Sequence, residues 1–173
     1  IAGHKSFKKI KDQKIIKKIL PNHKNEILFF FKKNVYPELN ELKKLIFFLN
    51  KHNPKIILAI GGGSVIDYAK IANIKDLIIN TKSKILKQEY DCSKRLSSLI
   101  AIPTTAGSGA EVTSSAVIYI NKKKYSVEGT GLSPDKFFLI PELVIDNHKK
   151  LKSSAGFDAI SQAIESIISI RSN

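Results

Sequence analysis

The stretch "KIILAIGGGSVIDYAKIAN" (residues 55–73) constrains the fold of this chain more than any other. Its apolar run, with no polar residue to alternate, predicts a strand buried on both faces of a parallel sheet at 55–60. Three glycines follow, and then "SVIDYAKIAN" carries a helical pattern. Ser64 and Asp67 have the spacing of a capping box, with Ser64 at the N-cap and Asp67 reaching back. The glycines make either a tight turn or a loop that lets backbone N–H groups approach an anion at a helix start. Neither G-x-G-x-x-G nor G-x-x-x-x-G-K-[ST] is present, so the loop alone leaves both readings open.

The rest of the chain supplies partners for such a strand. Residues 1–3 read as the end of an extended segment. "SFKKIKDQKIIKKIL" from Ser6 places Ile10, Ile16, Ile19 and Leu20 on one helical face, stopped by Pro21. "EILFFF" (26–31) reads as a buried strand. A helix is expected over 37–52, with Pro37 at its first position and Leu42, Leu45, Ile46 and Leu49 inward. After a poorly patterned stretch near 80–95, "LSSLIAI" (96–102) is a second apolar strand ended by Pro103. The alternation of strand and helix implies a layered α/β domain with right-handed crossovers. "SSAVIYINKKKYSV" reads as a hairpin turning near Asn121 and Lys122, and 153–170 as a helix.

Directly after the second apolar strand comes "IPTTAGSGAEVTSS" (102–115). Thr104, Thr105, Ser108, Thr113 and Ser115 offer hydroxyls, and Gly107 and Gly109 offer backbone access. Ligands of open α/β sheets bind beyond the carboxyl ends of the strands, so two such loops at one edge make a nucleotide site. The alternative is a flexible surface turn.

Composition narrows the class. Lys and Arg number 29 against 15 acidic residues, a net charge of +14 that would attract nucleic acid, an anionic membrane or a phosphorylated small molecule. The lysines are scattered in pairs and not gathered with aromatics, so a solvated surface is expected and no nucleic-acid or membrane partner. No apolar run approaches the roughly 18 residues of a membrane span, and the start carries no secretory pattern. With Cys92 the only cysteine, neither an intramolecular disulfide nor a cysteine-based zinc site can form within the chain. A cytoplasmic location is the expectation.

"AIGGGSVIDYAK", "IPTTAGSGAEVTSSAVIY", "FFLIPELV" and "AGFDAISQAIES", in this order and spacing, resemble the iron-containing (group III) alcohol dehydrogenase family. The resemblance implies a dehydroquinate synthase-like arrangement. A dinucleotide-binding α/β domain with a parallel sheet would span 1–150, and an all-helical metal-binding domain would begin at 151–173. Gly62, Gly63 and Ser64 would contact the cofactor pyrophosphate, and Thr104, Thr105, Ser108, Thr113, Ser115 and Lys124 would line the rest of the site. Lys124 also reads as a solvated hairpin lysine. Relatives that prefer NAD often carry an aspartate at the end of the first strand. Here Gly3 stands there, with Lys5 and Ser6 nearby, which favours NADP and leaves NAD open.

The family's ion, iron or zinc, is held by an aspartate and a histidine four residues later, with two histidines further on. Asp158 matches, but Gln162 stands where the first histidine is usual, and a glutamine carbonyl is a poorer ligand for such metals. His4, His23, His52 and His148 lie outside that pattern and are expected at the surface. The resemblance implies hydride transfer between the nicotinamide and a small alcohol or aldehyde. Relatives with "DA-x-x-QAIES" resemble phosphonoacetaldehyde reductases. A homodimer is compatible with it, no catalytic side chain is assigned, and the chain is expected to be part of a longer, active polypeptide. The competing reading is a nucleotide-binding module without catalytic activity.

Overall fold

The computed structural model describes residues 1–10, 14–19, 27–145 and 147–169. Strand β1 (Ala2–Gly3) leads into helices α1 (His4–Ile10) and α2 (Lys14–Ile19), then β2 (Phe31–Lys32), α3 (Leu39–His52), β3 (Ile56–Gly61) and α4 (Gly63–Ala72). Helix α5 (Thr81–Lys87), strand β4 (Ser98–Pro103) and the hairpin β5 (Ser115–Ile120) and β6 (Lys123–Glu128) follow. Strand β7 (Lys136–Phe137) and helices α6 (Glu142–Ile145) and α7 (Lys149–Ile168) complete the order.

Five strands form one parallel sheet in the order β2-β1-β3-β4-β7. Strands β3 and β4 run in register from Ile56 opposite Ser98 to Gly61 opposite Pro103. The two apolar runs are apolar because both faces of the sheet are covered. Ile57, Ala59, Leu99 and Ala101 join Leu42, Leu45, Ile66 and Ile71 of α3 and α4 in one core. Ile60 and Ile102 meet Ile10, Ile16 and Leu143 of α1, α2 and α6 on the other side. Each fully buried Leu or Ile contributes about 2 kcal/mol. The hairpin packs outside the sheet against α4.

Several expectations are corrected. Helix α3 begins at Leu39 with Glu38 at its N-cap, so Pro37 precedes the helix. The Pro37 carbonyl instead accepts the Tyr119 N–H of β5 at 2.6 Å. Of the strand expected over 26–31, residue 26 lies outside the described residues, and of 27–31 only Phe31 is in β2, because its ladder partner β1 offers just Ala2 and Gly3. The stretch near 80–95 contains α5, bracketed by Asn80 and Gln88 in left-handed conformation and anchored by Lys84 on Asp76. The first helix starts at His4. The expected stop at Pro21, the places of Leu20 and His23, and the side chain of Ile19 lie outside the described residues.

The hairpin and the exposed histidines are as expected, and the last helix is longer at its start. The hairpin turns at Asn121 and Lys122, both at positive φ (51° and 64°). Helix α7 starts earlier than expected, at Lys149, because the ring Nδ1 of His148 accepts the Leu151 N–H and caps it. His4, His52 and His148 are exposed. No helix among the described residues is long and apolar enough to cross a membrane.

Candidate functional site

The order β2-β1-β3-β4 reverses direction between β1 and β3, and ligands of open α/β sheets bind beyond the strand ends at such a switch. Gly3, Gly61 and Pro103 end the three strands there. The glycine loop and the threonine loop therefore emerge side by side. The Thr104 N–H continues the pairing by donating to the Gly61 carbonyl at 3.0 Å.

Gly62, not Ser64, is the N-cap of α4, and no side chain caps this helix. The Gly62 carbonyl accepts the Val65 N–H at 2.9 Å. The capping box is thus absent: Ser64 is the second helical residue and Asp67 lies in the helix body. The cause is the neighbouring loop. A Cβ on Gly62 would lie 3.0 Å from Thr105 Oγ1, and one on Gly63 would lie 2.6 Å from Ser108 Oγ. The two loops approach so closely that a side chain on either glycine would have to displace a threonine-loop hydroxyl, so backbone amides and hydroxyls face each other there.

Of the other expected residues, Thr104 is buried and its carbonyl accepts from Asn147 Nδ2 at 2.7 Å, tying the threonine loop to the α6–α7 junction. Thr113 and Ser115 stand at the far end of that loop, where their carbonyls and the Thr113 hydroxyl accept from Lys70. Lys124 is exposed on β6, and its charge acts on Asp67. Burial pushes the Asp67 carboxyl up to about 6, opposed by the Val117 N–H, Lys70 and Lys124. Lys5 and Ser6 fall in the first turn of α1, and their side chains lie outside the described residues.

Lys70 and Asn147 were missed by sequence reasoning. For Lys70 a signal existed: a lysine inside the apolar run "IDYAKIA" has to find acceptors or solvent. For Asn147 there was none, because its partner is 43 residues away.

Asp158 and Gln162 lie one turn apart on α7, both exposed. The helix reaches the threonine loop at Gly107, where an added Cβ would fall against the Ala155 carbonyl. One carboxylate and one amide do not hold iron or zinc, and among the described residues no group of three His, Cys, Asp or Glu is placed to do so. The described residues do not by themselves complete a metal centre.

The parallel sheet, its switch point and the glycine-cradled helix start define an open α/β domain with two small-residue loops at one edge. The family model described as iron-containing alcohol dehydrogenase matches residues 1–145, and the chain belongs to that family. The bifunctional aldehyde-alcohol dehydrogenase of Escherichia coli K12 is 32% identical over 153 residues, covering 82% of this chain and 17% of that protein. An NADH-dependent butanol dehydrogenase from Thermotoga maritima superposes with a TM-score of 0.83 at 25% identity, covering 95% of this chain and 42% of that one. A sulfoacetaldehyde reductase from Bifidobacterium kashiwanohense, solved with NAD+, gives 0.80 at 26% identity over 95% and 44%. The chain thus spans less than half the length of each of these three proteins.

Proposed function

We propose that this chain forms the dinucleotide-binding part of a nicotinamide-dependent alcohol dehydrogenase, acting on a small alcohol or as an aldehyde reductase. The observation that carries this reading is the close approach of Gly62 and Gly63 to Thr105 and Ser108 at the sheet's switch point. The first-turn amides of α4 would receive the pyrophosphate at the positive end of the helix dipole, and the threonine-loop hydroxyls would fix its orientation. Bound there, the nicotinamide supplies the hydride carrier. Asp67, held mainly by burial and the Val117 N–H, also feels the charges of Lys70 and Lys124 on the hairpin side of the site.

Gly3 supports NADP as the cofactor, because no carboxylate stands at the end of β1 to take a ribose 2′-OH and repel a 2′-phosphate. The names of the two solved relatives speak instead for NAD. An anionic aldehyde such as phosphonoacetaldehyde suits the net charge of +14, and one relative is named for the anionic sulfoacetaldehyde. Fluorescence titration of the full-length polypeptide with NADH and NADPH tests the reading. Tighter NADPH binding is expected, NADH tighter by about tenfold would overturn the NADP assignment, and binding of neither would overturn the site.

A second reading is favoured by Gln162: a dinucleotide-binding module without turnover. Metal analysis with an NADPH-oxidation assay on short aldehydes separates the two. Turnover with bound metal excludes the second, and bound dinucleotide without metal or turnover supports it.

A further inference from the structure

Lys70 is fully buried in α4, yet its ammonium is saturated. Nζ donates to the Thr113 carbonyl at 2.8 Å, to Thr113 Oγ1 at 3.0 Å and to the Ser115 carbonyl at 2.9 Å. An ammonium has three protons, and each has an acceptor. All three acceptors lie at the far end of the threonine loop, 43 to 45 residues away in sequence. Asp67 on the same helix and Glu111 on the loop act electrostatically to offset the buried charge.

The near end of that loop is tied to the same strand–helix unit by Thr104 N–H on the Gly61 carbonyl at 3.0 Å. The segment from Thr104 to Ser115 is therefore pinned at both ends to β3 and α4. Between the pins, Thr105 and Ser108 lie against Gly62 and Gly63. Releasing the far pin frees Ser108 to move away from the first turn of α4, and the gap between the loops widens.

We propose that Lys70 is a positioning residue for the dinucleotide site, acting through Thr113 and Ser115 to hold the threonine loop against the glycine loop. The proposal rests on the functional reading above and extends it to a side chain that touches no ligand. Methionine matches the length of lysine without its donors. In a Lys70→Met variant the two carbonyls and the hydroxyl, all partly buried, lose their ammonium donor and keep only the 3.5 Å contact between the Thr113 hydroxyl and the Ser115 carbonyl, and the loop opens to hydrate them.

The test compares the full-length polypeptide with its Lys70→Met variant in two measurements. Amide hydrogen exchange without cofactor should show Thr104, Ala110 and Val112, hydrogen-bonded within the loop region, protected as well as Val65 and Ile66 at the start of α4. In the variant these loop amides should exchange about tenfold faster, with Leu45 and Leu99 unchanged. Titration with NADH and NADPH should show the tighter cofactor losing about tenfold in affinity.

A variant that keeps loop exchange and cofactor affinity within about twofold of the unaltered protein overturns the proposal. So does an equal acceleration at Leu45 and Leu99, which marks a merely global loss of stability. Loop amides that already exchange about tenfold faster than Val65 and Ile66 in the unaltered protein overturn it without any variant having to fold. If the unaltered protein binds neither dinucleotide, the functional reading fails, and the exchange result alone still decides whether Lys70 clamps the loop.

Discussion

Gly63 and Ser108 come from loops 45 residues apart, and a methyl group added to Gly63 would lie 2.6 Å from the Ser108 hydroxyl and 2.9 Å from its Cβ. Gly63→Ala should therefore push the loops apart at the pyrophosphate position. Alanine also favours the first turn of α4 by up to about 1 kcal/mol over glycine, which offsets the local strain. The expected outcome is a dinucleotide Kd raised about tenfold with a stability change under about 1 kcal/mol, measured by fluorescence titration and urea unfolding.

Asp67 gives the stability a pH dependence whose sign is opposite to that of a paired surface carboxylate. Burial raises its folded pKa from 3.8 to about 6, so between those values the folded chain holds the proton more tightly than the unfolded chain. Its contribution is full below about pH 4 and is lost as pH rises through 6, an effect of about 3 kcal/mol. Asp76 and Asp91, held below the ordinary range by hydrogen bonds from Lys84 and Ser93, slope the other way. The difference between the native protein and Asp67→Asn in urea midpoints from pH 4 to 7 isolates the effect. A difference that stays flat across that range would disprove the burial of this carboxyl.

Lys70 behaves as the converse case. Burial lowers its folded pKa to about 8 from 10.5, so the unfolded chain binds more protons between those values. Its contribution to stability rises with pH across that window. Replacement by methionine should remove that rise from a urea-midpoint profile between pH 8 and about 10.

Gly3 ends β1 one position beyond Ala2, which pairs with Ile60 next to the glycine loop. On the proposed reading, Gly3→Asp would set a carboxylate beside the ribose 2′-OH or 2′-phosphate. The ratio of NADH to NADPH affinity should move toward NADH by about tenfold or more in paired titrations. An unchanged ratio would show that β1 does not face the adenosine ribose.

Asn121 and Lys122 both hold positive φ at the tip of the β5–β6 hairpin, the geometry of a type I′ turn. Asparagine adopts this conformation readily and lysine only at a cost, so Lys122→Gly should stabilise the protein by about 0.5–1 kcal/mol in thermal or urea unfolding. Cofactor affinity should be unaffected.

The parts of this protein that could be read in the sequence are those written in one continuous stretch. "IILAI" and "SLIAI" had to be strands with both faces covered, because nothing in them alternates. The period of Leu42, Leu45, Ile46 and Leu49 had to be a helix face, and all four are buried. Four ordered motifs were enough for the family. The N-cap at Gly62, the edge strand β2 and helix α5 were not legible, because each depends on its neighbour. Thr105 and Ser108 press on the glycines, β1 supplies only two pairing residues, and Asp76 anchors Lys84.

The same division runs through the candidate site. The sequence by itself determined that a glycine loop and a threonine loop each follow a buried strand, since apolar runs and small residues are local signals. Only the tertiary structure decided which groups meet there: Gly63 with Ser108, Asn147 with Thr104, and Lys70 with Thr113 and Ser115. The physical reason is that a buried ammonium or a partly buried amide finds its acceptors wherever the packed sheet brings them, however distant they are along the chain.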